Sequence, residues 1–306
     1  MQHLFLINPA AGKVDRTFEC SQKIYEICKA RGLDYRIRVS KKRGDITAWA
    51  REAAESGRET RIYACGGDGT LNEAVNGAAC AENVAVTHWP GGSGNDFIKI
   101  FSDPAAFRDL EALIDGEETR FDLIQCGSCY AINICSVGID ARIGTDVANY
   151  KHLPLVTGSG AYLISAAVNF ARGIKEPYTV EIDGETVSGD MSLVCICSGR
   201  WYGGGFNPIP TAEPDDGLLD VLIAKGVSRL QVPQLLGPYK AGKFRDYPEL
   251  FRYFRTDHVT IRCGKDTVVN LDGESANERE ITFRVVPGGM RFFYPKGLTY
   301  RNDGTK

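Results

Sequence analysis

Three glycine-containing turns in the first third of the chain constrain its fold more than any other feature of the sequence. Each turn follows a short apolar run with the pattern of a β-strand, and helix-like patterns separate the runs. In an open sheet, the carboxyl ends of parallel strands meet at one edge, and ligands bind there. We therefore expect one binding site built from NPAAGK at residues 8–13, GGDGTLNE at 66–73 and PGGSGNDF at 90–97.

The order of the predicted elements indicates two domains in this chain of 306 residues. Residues 1–125 alternate between strand-like and helix-like runs, which favours an α/β domain with a mainly parallel sheet. Residues 126–289 are mostly strand-like and predict a mostly antiparallel β domain. The predicted strands are 4–7, 35–39, 61–65, 84–89, 123–125, 130–134, 178–182, 191–198, 218–224, 259–263, 267–271 and 281–286, and the predicted helices are 17–30, 46–55, 71–79, 161–172 and 231–254.

Acidic and basic residues are mixed along the chain, 39 against 36, with a net charge of −3. No overall positive field results, so we expect no nucleic-acid partner and a locally held anionic ligand. We find no signal peptide and no run near the roughly 18 apolar residues of a membrane span. The ten cysteines are scattered, several in apolar runs, which favours reduced thiols. We expect a cytoplasmic protein, with peripheral membrane contact left open.

The second turn has the composition of a phosphate site. Its glycines allow close backbone approach to an anion, and a helix beginning at Thr70 would offer unpaired N–H groups. Asp68 suits such a place only if a divalent cation lies between its carboxylate and the phosphates. The alternative is a tight turn with an Asx-type aspartate, but three such turns favour the binding function. The GxxxxGK[ST] and GxGxxG spacings are absent, so a different nucleotide site is expected.

The sequence resembles the diacylglycerol kinase catalytic-domain family, especially its soluble bacterial lipid kinases, which are related to sphingosine and ceramide kinases. The resemblance lies in the three turns, in RFD at residues 120–122, in NICSVGIDA at 133–141, in the block at 199–221 and in Asp272-Gly273-Glu274. These motifs span nearly the whole chain. The resemblance implies an ATP-binding first domain and a β-sandwich second domain, with residues from about 290 to 306 returning to the first.

The resemblance also implies the residues of the site. The ATP contacts would be Asn8, Pro9, Gly12, Ser40, Gly66, Gly67, Asp68, Gly69, Thr70, Leu71, Asn72 and Ser93. Glu274 would be the general base, and a structural Mg²⁺ would bind Glu213, Asp216 and the carbonyl of Leu218. Ser40 and Ser93 stand where many members have threonine, which keeps the hydroxyl. Glu213 stands where aspartate or a backbone carbonyl is common, which alters the reach of that ligand.

Phosphoryl transfer to an alcohol needs aligned phosphates, a cation and a base near the attacking hydroxyl. Asp272-Gly273-Glu274 follows a predicted strand, so Glu274 could accept the hydroxyl proton and Asp272 could position it or the magnesium. An acidic hairpin turn is the alternative. Asp96 and Asp122 would join a hydrated magnesium network by resemblance, although Asp96 could equally cap a helix. His88, His152 and His258 lack partners at ligand spacing and are interpreted as structural.

We therefore predict an ATP- and Mg²⁺-dependent kinase that phosphorylates the hydroxyl of a diacylglycerol-like lipid presented at a membrane surface. A helix over residues 239–255, basic and aromatic, could rest on that membrane or pack on the β domain. The alternatives are an NAD kinase-like phosphotransferase, which shares GGDGT, and a silent nucleotide- or lipid-binding protein. The sequence leaves the acceptor lipid open, and both a monomer and a homodimer remain open.

Overall fold

A computed structural model describes residues 1–150 and 158–301 of the chain. Strands and helices alternate through the first half. Its strands at residues 2–7, 60–66 and 84–90 are largely buried and apolar, the strand at residues 35–39 alternates with arginines, and its helices are apolar on one face. The elements are β1 Gln2–Ile7, α1 Thr17–Ala30, β2 Tyr35–Val39, α2 Asp45–Glu55, β3 Thr60–Gly66, α3 Asp68–Ala78, β4 Val84–Pro90 and, after two short 3₁₀ turns at Phe97–Ile100 and Pro104–Arg108, α4 Leu110–Ile114. Helix α3 begins at Asp68, two residues before the expected start at Thr70.

Strands β1 to β4 pair in parallel in the order β4-β3-β1-β2. The register aligns their ends: Ile7 of β1 pairs with Cys65 of β3, and Cys65 pairs with Trp89 of β4. The three glycine turns follow these aligned ends. Parallel pairing therefore brings segments that are far apart in the sequence to one edge of the sheet.

The second half consists mainly of long antiparallel strands, with helices on one side. The elements are β5 Glu117–Cys126, β6 Cys129–Ala131, β7 Ile134–Gly138, α5 Ile139–Tyr150, α6 Gly158–Arg172, β8 Glu176–Ile182, β9 Glu185–Cys197, β10 Leu219–Lys225, α7 Val232–Lys240, a 3₁₀ turn Phe244–Asp246, β11 Phe251–Thr256, β12 His258–Leu271 and β13 Glu274–Tyr294. Within the described residues, thirteen strands belong to one hydrogen-bonded sheet. Most of its strand pairs are antiparallel.

Strand β13 joins the two halves. It pairs with β12 along its first part, and near its end Arg291 and Phe292 pair in parallel with Ala85 and Val86 of β4. The chain therefore returns to the first half within a 21-residue strand, and the final residues 302–306 of the predicted returning segment lie outside the described part. This continuity fixes the Glu274 end of β13 relative to the glycine turns.

Four predicted elements differ from the structure. The strand predicted over residues 130–134 is divided between β6, which ends at Ala131, and β7, which begins at Ile134. The helix over residues 231–254 is wrong: α7 ends at Lys240, and Phe251–Thr256 is strand β11, paired with β10. Gly242 has a left-handed φ of +70° between them, and a Cβ there would lie 2.2 Å from Pro210, so the chain turns at this point. The strands 259–263 and 267–271 are one strand, β12, with an irregular register between Arg262 and Thr267.

Helix α5 was missed because the motif around residues 133–141 favours strand and turn. The structural role predicted for His152 lies outside the described residues. His88 is fully buried and bonds the carbonyl of Gly66 through Nε2 at 2.9 Å, whereas His258 is exposed beside Asp257. Of the helices described, none combines the length and the apolar character needed to cross a membrane.

Candidate functional site

The three glycine turns touch one another through their backbones. A Cβ on Gly92 would lie 2.5 Å from the Cα of Gly67, and a Cβ on Gly12 would lie 2.6 Å from the carbonyl oxygen of Gly91. Gly66 is equally constrained, since its Cβ would meet the Thr70 hydroxyl at 2.2 Å. Only glycine permits these approaches, so the residue type at these positions sets how closely the turns can pack.

Side-chain hydrogen bonds hold the first two turns together. The side-chain amide nitrogen of Asn8 donates to the Thr70 hydroxyl at 3.0 Å. The side-chain oxygen of Asn8 accepts from the backbone N–H of Ala10 at 3.0 Å. The turns enclose a cleft of about 360 Å³, which we call the phosphate cleft. Its lining includes Asn8, Gly12, Gly67, Asp68, Gly69, Thr70 and Ser93 of the predicted nucleotide contacts, together with Glu274. A Cβ on Gly69 would meet no atom within 4 Å, so that position faces open space.

Asp68 has the setting of a cation ligand. Its carboxylate accepts from the Asn95 amide at 2.8 Å and from the Asp96 amide, and no lysine or arginine of the described residues pairs with it. Burial raises the pKa of Asp68, and the charge of Asp96 raises it further. Mg²⁺ typically binds one or two carboxylates together with substrate phosphates. The donor set and the open cleft therefore fit a magnesium nucleotide.

Asp96 and Asp122 connect the two halves of the molecule. Asp96 does not cap the 3₁₀ turn that follows it; its carboxylate accepts from the Gly204 amide at 2.9 Å and from Lys99. Asp122 accepts from the amides of Gly217 and Gly288, each at 2.7 Å, and burial raises its pKa. Both oxygens of Asp122 thus accept from backbone amides, which ties β5 to the segments that contain Gly217 and Gly288.

Asp272 lies in the two-residue turn between β12 and β13. Asp272 and Gly273 both have left-handed φ values, +52° and +91°, as a tight hairpin with right-handed twist requires. The Asp272 carboxylate accepts from the amides of Ile132, Asn133 and Ile134 at 2.7, 3.2 and 2.7 Å. Burial raises its pKa to about 6, partly offset by these bonds. Asp272 therefore fixes the hairpin and positions Glu274.

Glu274 is the first residue of β13 and forms an ion pair with Arg43 at the edge of the phosphate cleft. Sequence reasoning missed Arg43, which precedes α2. It also missed Glu73, whose carboxylate accepts from the Gly44 amide at 3.0 Å and also lines the cleft. The basic run at residues 41–43, which follows β2 closely, indicates that a positively charged side chain lies at this edge of the sheet.

Five predicted nucleotide contacts lie outside the cleft lining, and one of them, Gly66, is the last residue of β3. Ser40 is buried beside β1, where its amide bonds the Ile7 carbonyl at 2.9 Å, and Pro9 sits on the first turn. Leu71 lines a neighbouring cavity instead. The Asn72 side chain is buried and donates to the Tyr130 carbonyl at 3.3 Å, toward the second half.

The predicted second-domain cation site is not assembled. Asp216 is ion-paired with Arg255 and accepts from the Leu218 amide at 3.1 Å, while Glu213 lies 3.1 Å from the Arg200 guanidinium. Among the described residues, no group of three or more His, Cys, Asp or Glu side chains could hold a metal ion. The arginines already neutralise these carboxylates, so the residues do not fit a cation held by Glu213 and Asp216 together.

Two further cavities lie beyond the phosphate cleft. The first, of about 220 Å³ and here called the polar cavity, is lined by Asp68, Asp96, Asp272, Asp140 and Tyr202 among others. The second, of about 190 Å³ and here called the apolar cavity, shares Asp140 and Tyr202 with it. The remaining lining of the apolar cavity is mostly aliphatic and aromatic and includes Ile143, Phe170, Leu193, Val232, Leu235 and Tyr239.

Asp140 stands where the polar and apolar cavities meet. Tyr202 donates to its Oδ2 at 3.3 Å and also contacts the Tyr239 hydroxyl at 2.8 Å. Burial raises the pKa of Asp140 to about 6, partly offset by hydrogen bonds from Ser136 and the Ala141 amide. Asp140 lies within the motif at residues 133–141, but only the folding of α5 against β9 and α7 reveals its place between the cavities.

Comparison with known proteins agrees with two domains. The family model for the diacylglycerol kinase catalytic domain matches residues 2–126, and that for the YegS C-terminal NAD kinase beta sandwich-like domain matches residues 133–294. A protein of Pseudomonas fluorescens named "Probable lipid kinase YegS-like" is 30% identical over 276 residues, covering 89% of each chain. One of the same name from Shewanella frigidimarina is 28% identical over 292 residues, covering 93% of this chain and 92% of its own.

The solved structure of a diacylglycerol kinase from Bacillus anthracis strain Sterne has the same fold. It superposes with a TM-score of 0.70 at 20% identity and covers 96% of this chain and 97% of its own. At that identity the similarity concerns the fold alone. The sequence matches cover both halves of the chain and include the turns that build the phosphate cleft. This protein therefore belongs to the diacylglycerol kinase catalytic-domain family.

Proposed function

We propose that this protein is an ATP- and Mg²⁺-dependent lipid kinase that phosphorylates the hydroxyl of a diacylglycerol-like lipid. One observation carries the proposal: the phosphate cleft, the polar cavity and the apolar cavity adjoin, with Asp68 shared by the first two and Asp140 by the last two. A triphosphate, a hydroxyl-bearing head group and a hydrocarbon chain need these three environments in this order. The lipid kinase names of the relatives support the same function.

The chain's own residues account for nucleotide binding. The tightly packed turns present backbone N–H groups, and helix α3 directs its amino end at the cleft, which favours phosphate oxygens. Asp68 would hold the magnesium that accompanies the nucleotide, with Asp96 beside it. That ion supplies charge neutralisation for the phosphates. Arg43, at the outer edge of the cleft, adds a positive charge that can reach a phosphate.

Glu274 would accept the proton of the attacking hydroxyl. It lies at the phosphate cleft on the side of β13, and the hairpin that carries it is fixed by the three amide bonds to Asp272. A carboxylate within hydrogen-bond reach of the alcohol lowers the barrier by taking the proton as the new phosphate ester bond forms. Arg43 pairs with Glu274, and phosphates that attract Arg43 would leave the carboxylate available.

The apolar cavity distinguishes this proposal from an NAD kinase. A dinucleotide acceptor carries polar sugars and phosphates, whereas this cavity offers few polar groups apart from Asp140 and Tyr202 at its inner end. Those two can bond the glycerol end of a lipid while its chain packs among the aliphatic residues. We propose a cytoplasmic enzyme that meets its substrate at a membrane surface, either as a monomer or as a homodimer.

The test compares Glu274→Gln with Glu278→Gln, an exposed glutamate farther along β13. Purified protein is given magnesium-ATP with either diacylglycerol vesicles or NAD, and the phosphorylated product is measured. We expect lipid phosphate only, with kcat lowered roughly 10²–10⁴-fold by Glu274→Gln and unchanged by Glu278→Gln. Phosphorylation of NAD alone would contradict the lipid acceptor, and an equal rate for Glu274→Gln would contradict the base.

A further inference from the structure

Residues 225–245, here called the mouth segment, carry an unbalanced positive charge. The segment runs from the end of β10 through α7 to the following 3₁₀ turn and contains Lys225, Arg229, Lys240, Lys243 and Arg245 but no acidic residue. In the part of the chain that the structure describes, none of these five is ion-paired with a carboxylate. Arg229 instead donates to the carbonyl oxygens of Phe170 and Ala171, and Lys240 lies over the Phe206 ring.

The mouth segment also exposes two leucines. Leu230 is 87% exposed and Leu236 is 49% exposed, which places them among the few large apolar side chains left to solvent in the described chain. Leu236 lines the apolar cavity with Val232 and Leu235 of the same helix. The exposed apolar surface and the cavity are therefore continuous, and Lys225 of the same segment also lines the cavity.

The residues after the mouth segment differ in both respects. Arg252 pairs with Glu185 and Arg255 pairs with Asp216, so these charges are balanced within the protein. The ring of Phe251 is buried in the core, as are those of Tyr239 and Phe244 within the mouth segment itself. The surface with unbalanced charge and exposed apolar groups therefore precedes most of the basic, aromatic stretch at residues 239–255.

We propose that the mouth segment docks on the surface of a bilayer containing anionic lipids, an inference that rests on the proposed lipid kinase function. Exposed leucines enter the boundary between head groups and acyl chains, and basic side chains around them are attracted to the negative surface. A docked α7 places the apolar cavity against the acyl region. A water-insoluble lipid can then move from the bilayer to Asp140 without passing through water.

Vesicle flotation of the full chain without nucleotide tests the docking. Vesicles of phosphatidylcholine alone are compared with vesicles of phosphatidylcholine and phosphatidylglycerol in equal amounts. We expect binding to the anionic vesicles, about tenfold weaker for Leu230→Asp and about fivefold weaker for Lys243→Glu. Matched controls are Phe18→Asp, 82% exposed on α1, and Lys296→Glu, exposed after β13, and both should bind as the unchanged protein does.

Several outcomes would overturn the docking surface. Equal binding of Leu230→Asp and Phe18→Asp, or no binding to anionic vesicles, contradicts it. If Leu230→Asp converts a dimer into a monomer in solution and leaves vesicle binding unchanged, the segment is a subunit interface. Phosphorylation of a short-chain diacylglycerol dispersed in water separates the two proposals: vesicle binding without any lipid phosphorylation removes the proposed function alone, and phosphorylation without segment-dependent binding removes the docking alone.

Discussion

Carboxylates occupy turns in both halves of this molecule, but their surroundings give them different chemistry. Asp68 faces an open cleft, has no basic partner among the described residues and lies beside Asp96. Glu213 and Asp216 each have an arginine partner, Arg200 and Arg255. The sequence predicts cation binding for both sets, for Asp68 from its place among the glycine turns and for Glu213 and Asp216 from the family resemblance. The two sets of carboxylates therefore differ in whether an arginine already pairs with them.

The histidine next to Asp68, His88, also differs from the basic residues near the acids of the second half. His88 is fully buried, and burial lowers its pKa, whereas the nearby charge of Asp68 raises it. In the second half, Asp220 is also buried, with its pKa raised to about 6 by burial, but Tyr253 and Arg255 contact it. Asp68 thus has no lysine or arginine partner among the described residues, whereas Asp220 is bonded by Tyr253 and Arg255.

The largest expected effect separates the first region from ordinary acidic turns. Asp68→Asn keeps the shape and hydrogen bonding capacity but removes the charge that a magnesium nucleotide needs, so kcat/KM should fall roughly a hundredfold or more. Initial rates at several magnesium concentrations measure it. The control is Asp183→Asn, in the exposed turn between β8 and β9, where φ is +50° and asparagine is well tolerated. A rate for Asp68→Asn within twofold of the control would contradict a role for the Asp68 charge in binding the magnesium nucleotide.

We expect an intermediate loss of nucleotide affinity when the close packing of the glycine turns around the phosphate cleft is disturbed. Gly92→Ala places a Cβ 2.5 Å from the Gly67 backbone, so the second and third turns must separate. Misfit of this kind costs about 1–3 kcal/mol, and nucleotide affinity should weaken roughly tenfold. Titration with a magnesium-nucleotide analogue measures it, with Gly264→Ala as control because no atom lies within 4 Å of a Cβ there. Unchanged affinity would mean that turn packing does not shape the site.

The smallest effect concerns the second region. Asp216→Asn removes a partly exposed ion pair with Arg255 and should lower the free energy of unfolding by about 0.5–1 kcal/mol. Because the arginines neutralise the acids, magnesium should not change the melting temperature of either protein. A magnesium-dependent increase that disappears in Asp216→Asn would instead show that the ion displaces Arg255, and the two regions would then be alike.

Much of the first half was predictable because its patterns are local. Helix 17–30 and strand 35–39 follow apolar periodicity, and the structure gives the same limits. The helix over residues 231–254 failed because a local pattern of basic and aromatic residues does not reveal the left-handed turn at Gly242 or the pairing of β11 with β10. Strand pairing between distant segments overrides local propensity.

The candidate site divides in the same way. The sequence predicted most of the residues that line the phosphate cleft, since glycine turns after strands have a direct physical meaning. It did not predict Arg43 or the place of Asp140 between two cavities, since neither depends on neighbours in the sequence. It also assigned Asn72 to the nucleotide, whereas the fold directs that side chain at Tyr130.

By itself the sequence determined that residues 8–13, 66–73 and 90–97 are glycine turns that follow strands, because glycine content and periodicity are properties of short segments. Only the tertiary structure decided which acids are free to meet a cation, and that Glu274 lies 206 positions beyond Asp68 yet lines the same cleft. It also decided that an apolar cavity adjoins them. Charge balance and cavities arise from groups brought together by strand pairing, and a linear pattern does not contain those distances.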